Sequence, residues 1–210
     1  MKIAVFGASG RSGIPFVKQA LEQGHELTVL VRTPSKLGVE HPHLTVLQGD
    51  ILKESDVLKT IEGNDAVVSL IGHSKNSPKD LQATATSYVL KAMHTHEVTR
   101  LISLTGAAVK AQKDVAQKWF GRIIEGVMQL VAKDVLNDGK AHATLIAKSS
   151  VDWTIVRGPR LTEGPLTKDY KTGYFKMESP FVSRADIAHF ILRELDNPTY
   201  IHEYPLISAK

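Results

Sequence analysis

An α/β fold, with a Rossmann-type doubly wound parallel sheet, helices on both faces and a small C-terminal elaboration, is what the sequence predicts, on three observations. Short apolar runs alternate with helix-length segments along most of the 210 residues, which implies parallel strands joined by right-handed crossovers. The first run leads directly into glycines spaced GxxGxxG at Gly7, Gly10 and Gly13. Hydrophobic residues make up 42% of the chain and charged residues 23%, enough for a sizeable core and too few charges for disorder. The length suits one domain over residues 1–210, with about 157–210 contributing to a substrate cleft.

Ile3 to Phe6 is a run fit for a buried parallel strand. The glycine turn follows, then a helix-like stretch from Ile14 to Gln23. Gly7 suits the tight turn. A missing side chain at Gly10 lets backbone approach a pyrophosphate, and one at Gly13 lets helix pack close to strand. The phosphate would then sit at a helix N-terminus, where free N–H groups and the dipole favour anions. Ser9, Arg11 and Ser12 complete the turn and count as cofactor-binding positions. A lone glycine pattern says little. Strand, glycine turn, helix and a second strand in that order say dinucleotide.

The second strand, Glu26 to Val31, follows Gly24 and ends at Arg32. In NAD sites an Asp or Glu about 20 residues past the glycines binds the ribose 2′-hydroxyl. None ends this strand. Arg32 stands there, with hydroxyls at Thr33 and Ser35 and a second cation at Lys36. A guanidinium pairs with a 2′-phosphate and stacks on adenine, so NADP(H) is expected over NAD(H).

A third strand is expected over Leu44–Leu47, ending at Gln48-Gly49-Asp50, and a helix over Ser55–Ile61 with Ser55 as cap. Asp65–Ile71 reads as a fourth strand ending at Gly72-His73-Ser74, and Leu81–His96 as a helix. Arg100–Leu104 is a fifth strand, ending at Thr105-Gly106-Ala107, and Thr154–Val156 a sixth. Ligands bind beyond the carboxyl ends of such strands, so Arg32, Asp50, Gly72, Thr105 and Arg157 should join the glycine turn on one edge.

The stretch of about 45 residues between strands five and six is longer than one crossover helix needs. Within it, Trp119 to Leu136 sets Trp119, Ile123, Val127 and Val131 four apart against Lys118, Arg122, Glu125 and Lys133. This stripe reads as core packing, with a lid or dimer face as the sharper alternative. Ser183 and Asp186 form a capping-box variant opening a last helix, in which Arg184 and Asp186 read as structural.

Composition excludes several classes. No cysteine is present, so disulfides, thiolate metal sites and cysteine nucleophiles are excluded, which fits a reducing cytosol. No apolar run approaches the ~20 residues of a membrane helix. The first strand has no leader ahead of it, so a cytoplasmic location is expected. A net charge of +4 with scattered cations and 6% aromatics does not indicate a nucleic-acid surface. His41-Pro42-His43 and His94-Thr95-His96 lack a third ligand, and His-x-His on a helix points the rings about 200° apart. No metal is expected. The expected partner is a small-molecule acceptor, for a monomer or homodimer.

These segments resemble the atypical short-chain dehydrogenase/reductases, in the NAD(P)H-binding branch around biliverdin-IXβ/flavin reductase and the NmrA-like proteins. The resemblance rests on Phe6–Gly13, Leu27–Arg32, Gln48-Gly49-Asp50, Asn64–Val67, Asp152–Arg157 and Phe181–Ala188, spread over nearly the whole chain. It implies that Asp50 and Ile51 meet the adenine, that Ile71, Gly72 and His73 lie beside the cofactor ribose, and that Thr105 and Gly106 lie near the nicotinamide. It also implies that Arg157-Gly158-Pro159-Arg160 covers the nicotinamide. The biliverdin/flavin branch shows a Ser after the Thr, where this chain has Gly106, and a His where it has Arg160. Both departures count against biliverdin itself as acceptor.

Standard short-chain dehydrogenases use Tyr-x-x-x-Lys, in which the ammonium lowers the phenol's pKa and makes it a proton donor. None of the five tyrosines has a lysine four residues on. Lys140 lies near the helix where the motif would fall, without its tyrosine. Hydride transfer to flavins, quinones or tetrapyrroles can proceed without such an acid, because the cofactor carries the chemistry and the conjugated acceptor takes up the charge. Thr105, Arg160 and Lys140, with His73, are the candidates for orienting the acceptor or stabilising an anionic intermediate. The expected function is therefore an NADPH-dependent reductase of a flat conjugated acceptor; the alternative is a non-catalytic, NmrA-like NADP(H) sensor.

Overall fold

Alternate residues of the first strand belong to two different cores. The computed structural model describes residues 1–74, 76–115 and 133–210. In it, strand β1 (Lys2–Phe6) turns Ile3 and Val5 into one apolar cluster and Ala4 and Phe6 into another. A strand buried on both faces must be apolar throughout, which is why this run shows no alternation. The first cluster is covered by helix α1 (Gly13–Glu22), through Phe16 and Val17, and by helix α5 (Arg184–Asp196), through Phe190 and Ile191. The second lies under helices α2 (Glu54–Ile61), α3 (Leu81–Thr95) and α4 (Lys133–Ala147), through Val57, Val89 and Ile146. The sheet is thus wound on both sides, as expected.

The other strands are β2 (Glu26–Val31), β3 (Leu44–Gln48), β4 (Ala66–Ser69), β5 (Arg100–Gly106), β6 (Asp152–Gly158), β7 (Arg160–Thr162), β8 (Tyr170–Gly173), β9 (Phe181–Ser183) and β10 (Leu206–Ala209). Among the described residues, eight strands form one sheet in the order β3-β2-β1-β4-β5-β6-β10-β8. All neighbours run parallel except β8, which closes the edge antiparallel to β10. Strand order reverses between β1 and β4, which opens the crevice where such sheets bind ligands. β7 and β9 pair separately, with Arg160 opposite Phe181.

Several expectations need correction. β4 ends at Ser69 rather than Ile71: the Leu70 N–H still reaches Phe6 O at 2.9 Å, and then Gln82 Nε2 donates to the Ile71 carbonyl at 2.8 Å and draws the chain off the sheet. α2 is capped at Lys53, and Ser55 lies inside it, without a side-chain cap. The last three strands of the elaboration and the short β7 are missing from the sequence reading, because they are three to four residues long and pair with distant partners. The Ser183–Asp186 cap is present, with Asp186 N donating to Ser183 Oγ at 2.9 Å. Most of the Trp119–Leu136 stripe, and with it the lid or dimer face, lies outside the described residues. Among those described, no helix is long and apolar enough to cross a membrane.

Candidate functional site: a cleft at the carboxyl edge of the sheet

A cleft of about 660 Å³ opens where β1, β2, β4, β5 and β6 end. That volume falls within the usual range for small-molecule and cofactor sites. Its floor is the glycine turn, with Gly7, Ser9, Gly10, Arg11 and Ser12 lining it. Gly10 N donates to Gly7 O at 3.0 Å, and Ile14 N to Gly10 O at 3.0 Å, so the turn feeds directly into α1. Gly7 sits at φ +81°, and a Cβ there would stand 2.6 Å from Leu70 O. A Cβ on Gly13 would meet Gly7 O at 2.2 Å, so this glycine sits behind the turn and allows the helix to pack. Gly10 differs: its Cβ would meet only Gly7 O, at 3.1 Å, and would otherwise enter the cleft. Ser12 caps α1 without a side-chain bond, and the first turn holds no acidic residue. The N–H groups there remain available to an anion.

Around this floor the expected residues mostly assemble. Arg32 and Lys36 line the cleft beyond β2, without an acidic side chain between them. Ser35 is exposed and is not among the lining residues. Asp50 and Ile51 line it beyond β3; Asp50 Oδ1 also accepts Leu52 N at 3.0 Å, which fixes that loop. Ile71, Gly72 and His73 follow β4, and Thr105 and Gly106 end β5. Cβ atoms on Gly72 and Gly106 would meet nothing among the described residues within 4 Å. Neither glycine is required for packing, and both keep the cleft wide.

Besides Ser35, three more expected residues are elsewhere. Arg157 is the main correction. It is completely buried and is not among the lining residues. It donates to Tyr204 O at 2.8 Å and Val109 O at 2.7 Å, and binds both Asp114 oxygens at 2.8 and 2.5 Å. It is a structural clamp, tying the start of the long crossover to β6. Arg160 is exposed and lies 5.8 Å above the Phe181 ring, outside the lining. Lys140 is exposed on α4 and does not line the cleft. Arg157 lies within β6, Arg160 opens β7 and Lys140 lies on α4, and alternation along a strand and rotation around a helix turn their side chains away.

The structure adds residues that the sequence reading passed over. Asp138 on α4 is buried, and its carboxylate accepts the Gln82 N–H at 2.7 Å and the Ala83 N–H at 2.9 Å. It caps α3 from a neighbouring helix, since Asp80 at the cap position makes no cap bond. Its Oδ2 also holds His73 Nε2 at 2.7 Å. One turn on, His142 lies between Thr86 Oγ1 at 2.6 Å and Ser103 Oγ at 2.9 Å. Burial pushes this imidazole down to about 4, so it is neutral near pH 7. Asp138 and His142 stand four apart, the spacing that puts both on one helix face. That spacing is the signal that was available in the sequence. Arg184, read as structural, does hold Leu161 O and Glu163, but it also lines the cleft near Arg11.

No tyrosine is among the lining residues. Tyr174 donates to Glu203, and burial together with that carboxylate pushes its phenol above the ordinary value. Tyr170 bonds His189 Nδ1 at 2.7 Å and is likewise raised by burial.

Comparison with known proteins places this cleft in context. A family model described as NAD(P)H-binding matches residues 7–198. YwnB of Bacillus subtilis (strain 168) is 26% identical over 210 residues, covering 97% of this chain and 96% of its own. A short-chain dehydrogenase/reductase from Veillonella parvula, solved in complex with NADP, superposes with a TM-score of 0.80 at 15% identity, covering 99% of this chain and 94% of that one. A protein from Streptococcus pneumoniae TIGR4, whose name assigns it provisionally to the NADH-flavin reductases, superposes with a TM-score of 0.77 at 21% identity over the full length of both chains. At these identities the two structural likenesses establish the fold.

Proposed function

Since the chain belongs to the NAD(P)H-binding family, we propose that it is an NADPH-dependent reductase passing hydride to a flat conjugated acceptor of flavin, quinone or tetrapyrrole type. One observation carries this reading: the glycine turn and the open end at Thr105 and Gly106 share a single cleft, and no tyrosine lines it. The standard ketone reductases take their proton from a tyrosine, whereas a conjugated acceptor spreads the incoming charge. The provisional flavin-reductase name of the Streptococcus pneumoniae protein agrees with this class. Arg32 and Lys36 at the end of β2 support NADPH over NADH, and the NADP complex of the Veillonella parvula protein is compatible with that choice. A cysteine-free chain suits a cytoplasmic setting.

The test is to incubate purified protein with NADPH and a panel of flavins, quinones and aldehydes while following loss of nicotinamide absorbance. Oxidation by flavins or quinones is expected. Tight NADPH binding without turnover on any acceptor would instead favour the non-catalytic sensor.

Two predictions follow directly from the geometry. NADPH should bind at least ~10-fold tighter than NADH, because a charge-assisted phosphate contact contributes about 1.5–3 kcal/mol. Arg32→Glu should erase or reverse that preference, and equal wild-type affinities by calorimetry would overturn the assignment. Replacing each of the five tyrosines by Phe should leave turnover within ~10-fold, since loss of a true general acid costs about 10²–10⁴-fold. Thr105→Val, in the cleft itself, should cost more. A steep loss in Tyr170→Phe or Tyr174→Phe would reveal a displaced tyrosine acid.

A further inference from the structure

We propose that His73, oriented by Asp138, donates the proton that accompanies hydride transfer in this cleft, a proposal that rests on the reductase reading above. His73 lines the cleft with 12% of its side chain exposed, and its Nε2 is held 2.7 Å from Asp138 Oδ2. Asp138 cannot swing away. Its side chain is 1% exposed, and its two oxygens are already fixed by the Gln82 and Ala83 N–H groups. A carboxylate immobilised this way at a helix N-terminus sets both the angle and the tautomer of the ring that donates to it. With Nε2–H committed to Asp138, Nδ1 is the atom that takes up and gives away a proton. Nδ1 makes no hydrogen bond to another described residue.

The position of the pair connects it to the chemistry. Gly139 follows Asp138 along α4, and a Cβ there would stand 3.4 Å from Thr105 Oγ1 and 3.7 Å from Gln82 Oε1. The imidazole and Thr105 both line the cleft, with the buried Asp138 carboxylate held behind His73. The helix that would carry a Tyr-x-x-x-Lys pair carries Asp138 and His142 at the same spacing. His142 cannot serve as donor to the cleft, because both its ring nitrogens are occupied by Thr86 and Ser103.

The step balances as follows. Bound NADPH would supply the hydride, and an acceptor taking it would place an electron pair on its carbonyl oxygen or ring nitrogen. The Nδ1–H bond of the His73 imidazolium breaks, and its proton joins that atom. The ring is left neutral, with Nε2–H still on Asp138, and water at the cleft mouth returns the proton. The acceptor would thereby gain one hydride, supplied by the cofactor, and one proton, supplied by His73.

NADPH oxidation by menadione and by FMN, followed by stopped flow, tests this, with NADPH affinity measured separately by calorimetry. His73→Ala should lower kcat by about 10²–10⁴-fold, measured at saturating NADPH so that any loss of cofactor affinity is separated out, and imidazole added to the buffer should restore part of the rate. Asp138→Asn keeps an oxygen for the α3 N–H groups but misorients the ring. It should lower kcat by at least ~10-fold with KM and circular dichroism near wild type. His73→Gln replaces the alanine variant if that variant does not fold. Wild-type rates in the His73 variants, or a loss that imidazole does not rescue, would overturn proton donation and leave the reductase reading standing. No NADPH oxidation by the wild type with either acceptor would overturn both.

Discussion

Gly10→Val should weaken NADPH binding by at least ~100-fold while the protein stays folded. Loss of two charge-assisted contacts to a pyrophosphate, each contributing about 1.5–3 kcal/mol, gives a drop of that size. The fold survives because a Cβ at this position meets only Gly7 O, at 3.1 Å, a contact relieved by a shift of a few tenths of an ångström. The rest of the valine side chain then occupies the cleft floor over the N-terminus of α1. Gly13→Val is the contrasting variant. Its Cβ would lie 2.2 Å from Gly7 O and 2.4 Å from Ala8 O, both backbone atoms under a helix that cannot move without opening the core. It should therefore fail as a folded protein. Calorimetry on Gly10→Val, with circular dichroism on both variants, separates ligand space from packing. Normal NADPH binding by Gly10→Val would mean that the pyrophosphate lies elsewhere.

Arg157→Ala should destabilise the protein by about 3–5 kcal/mol, the cost of leaving a buried ion pair half-made. The side chain is fully buried, and its removal strands the Asp114 carboxylate and the carbonyls of Val109 and Tyr204. The loss should be largest near neutral pH. Burial, the largest single influence, would raise Asp114, but the hydrogen bonds from Arg157 and the Ala111 N–H, with the charges of Arg157 and Lys110, together outweigh it and hold the carboxyl below its ordinary value. A depressed carboxylate contributes stability that is present above its unfolded pKa and lost as pH falls through the folded one. The gap between wild type and variant should accordingly shrink below about pH 4, near the unfolded value. Urea denaturation across that range measures it. A variant as stable as the wild type at pH 7 would show that Arg157 is not the clamp. Because Val109 lines the cleft, weaker cofactor binding should accompany the loss.

The contrast between Arg157 and Arg32 marks the limit of reading side-chain roles from strand ends. Both stand at the carboxyl ends of strands on the same edge of the sheet. Arg32 leaves β2 into a loop and remains exposed at the cleft, whereas Arg157 lies within β6, paired with Thr105 on β5 and buried by the β10 side of the sheet. Nothing in Asp-Trp-Thr-Ile-Val-Arg announces that a strand some 50 residues later, or Asp114 before it, will enclose the guanidinium. His73 and Asp138 are a similar case. They are 65 residues apart, and only the packing of α4 against α3 makes them partners.

The sequence by itself determined the doubly wound sheet, the dinucleotide turn and the cations at the end of β2, because each of these rests on local chemistry. A run of apolar residues, the absence of a Cβ at Gly7, Gly10 and Gly13, and a charge at Arg32 have their effect within a few bonds of where they occur. Tertiary structure alone decided which polar side chains face the cleft and which hold the fold. Burial and hydrogen-bond partners are set by elements tens of residues away, and a buried charge is tolerated only where those elements bring it a partner. Arg157 found Asp114 and became structure. His73 found Asp138 and stayed in the lining of the cleft.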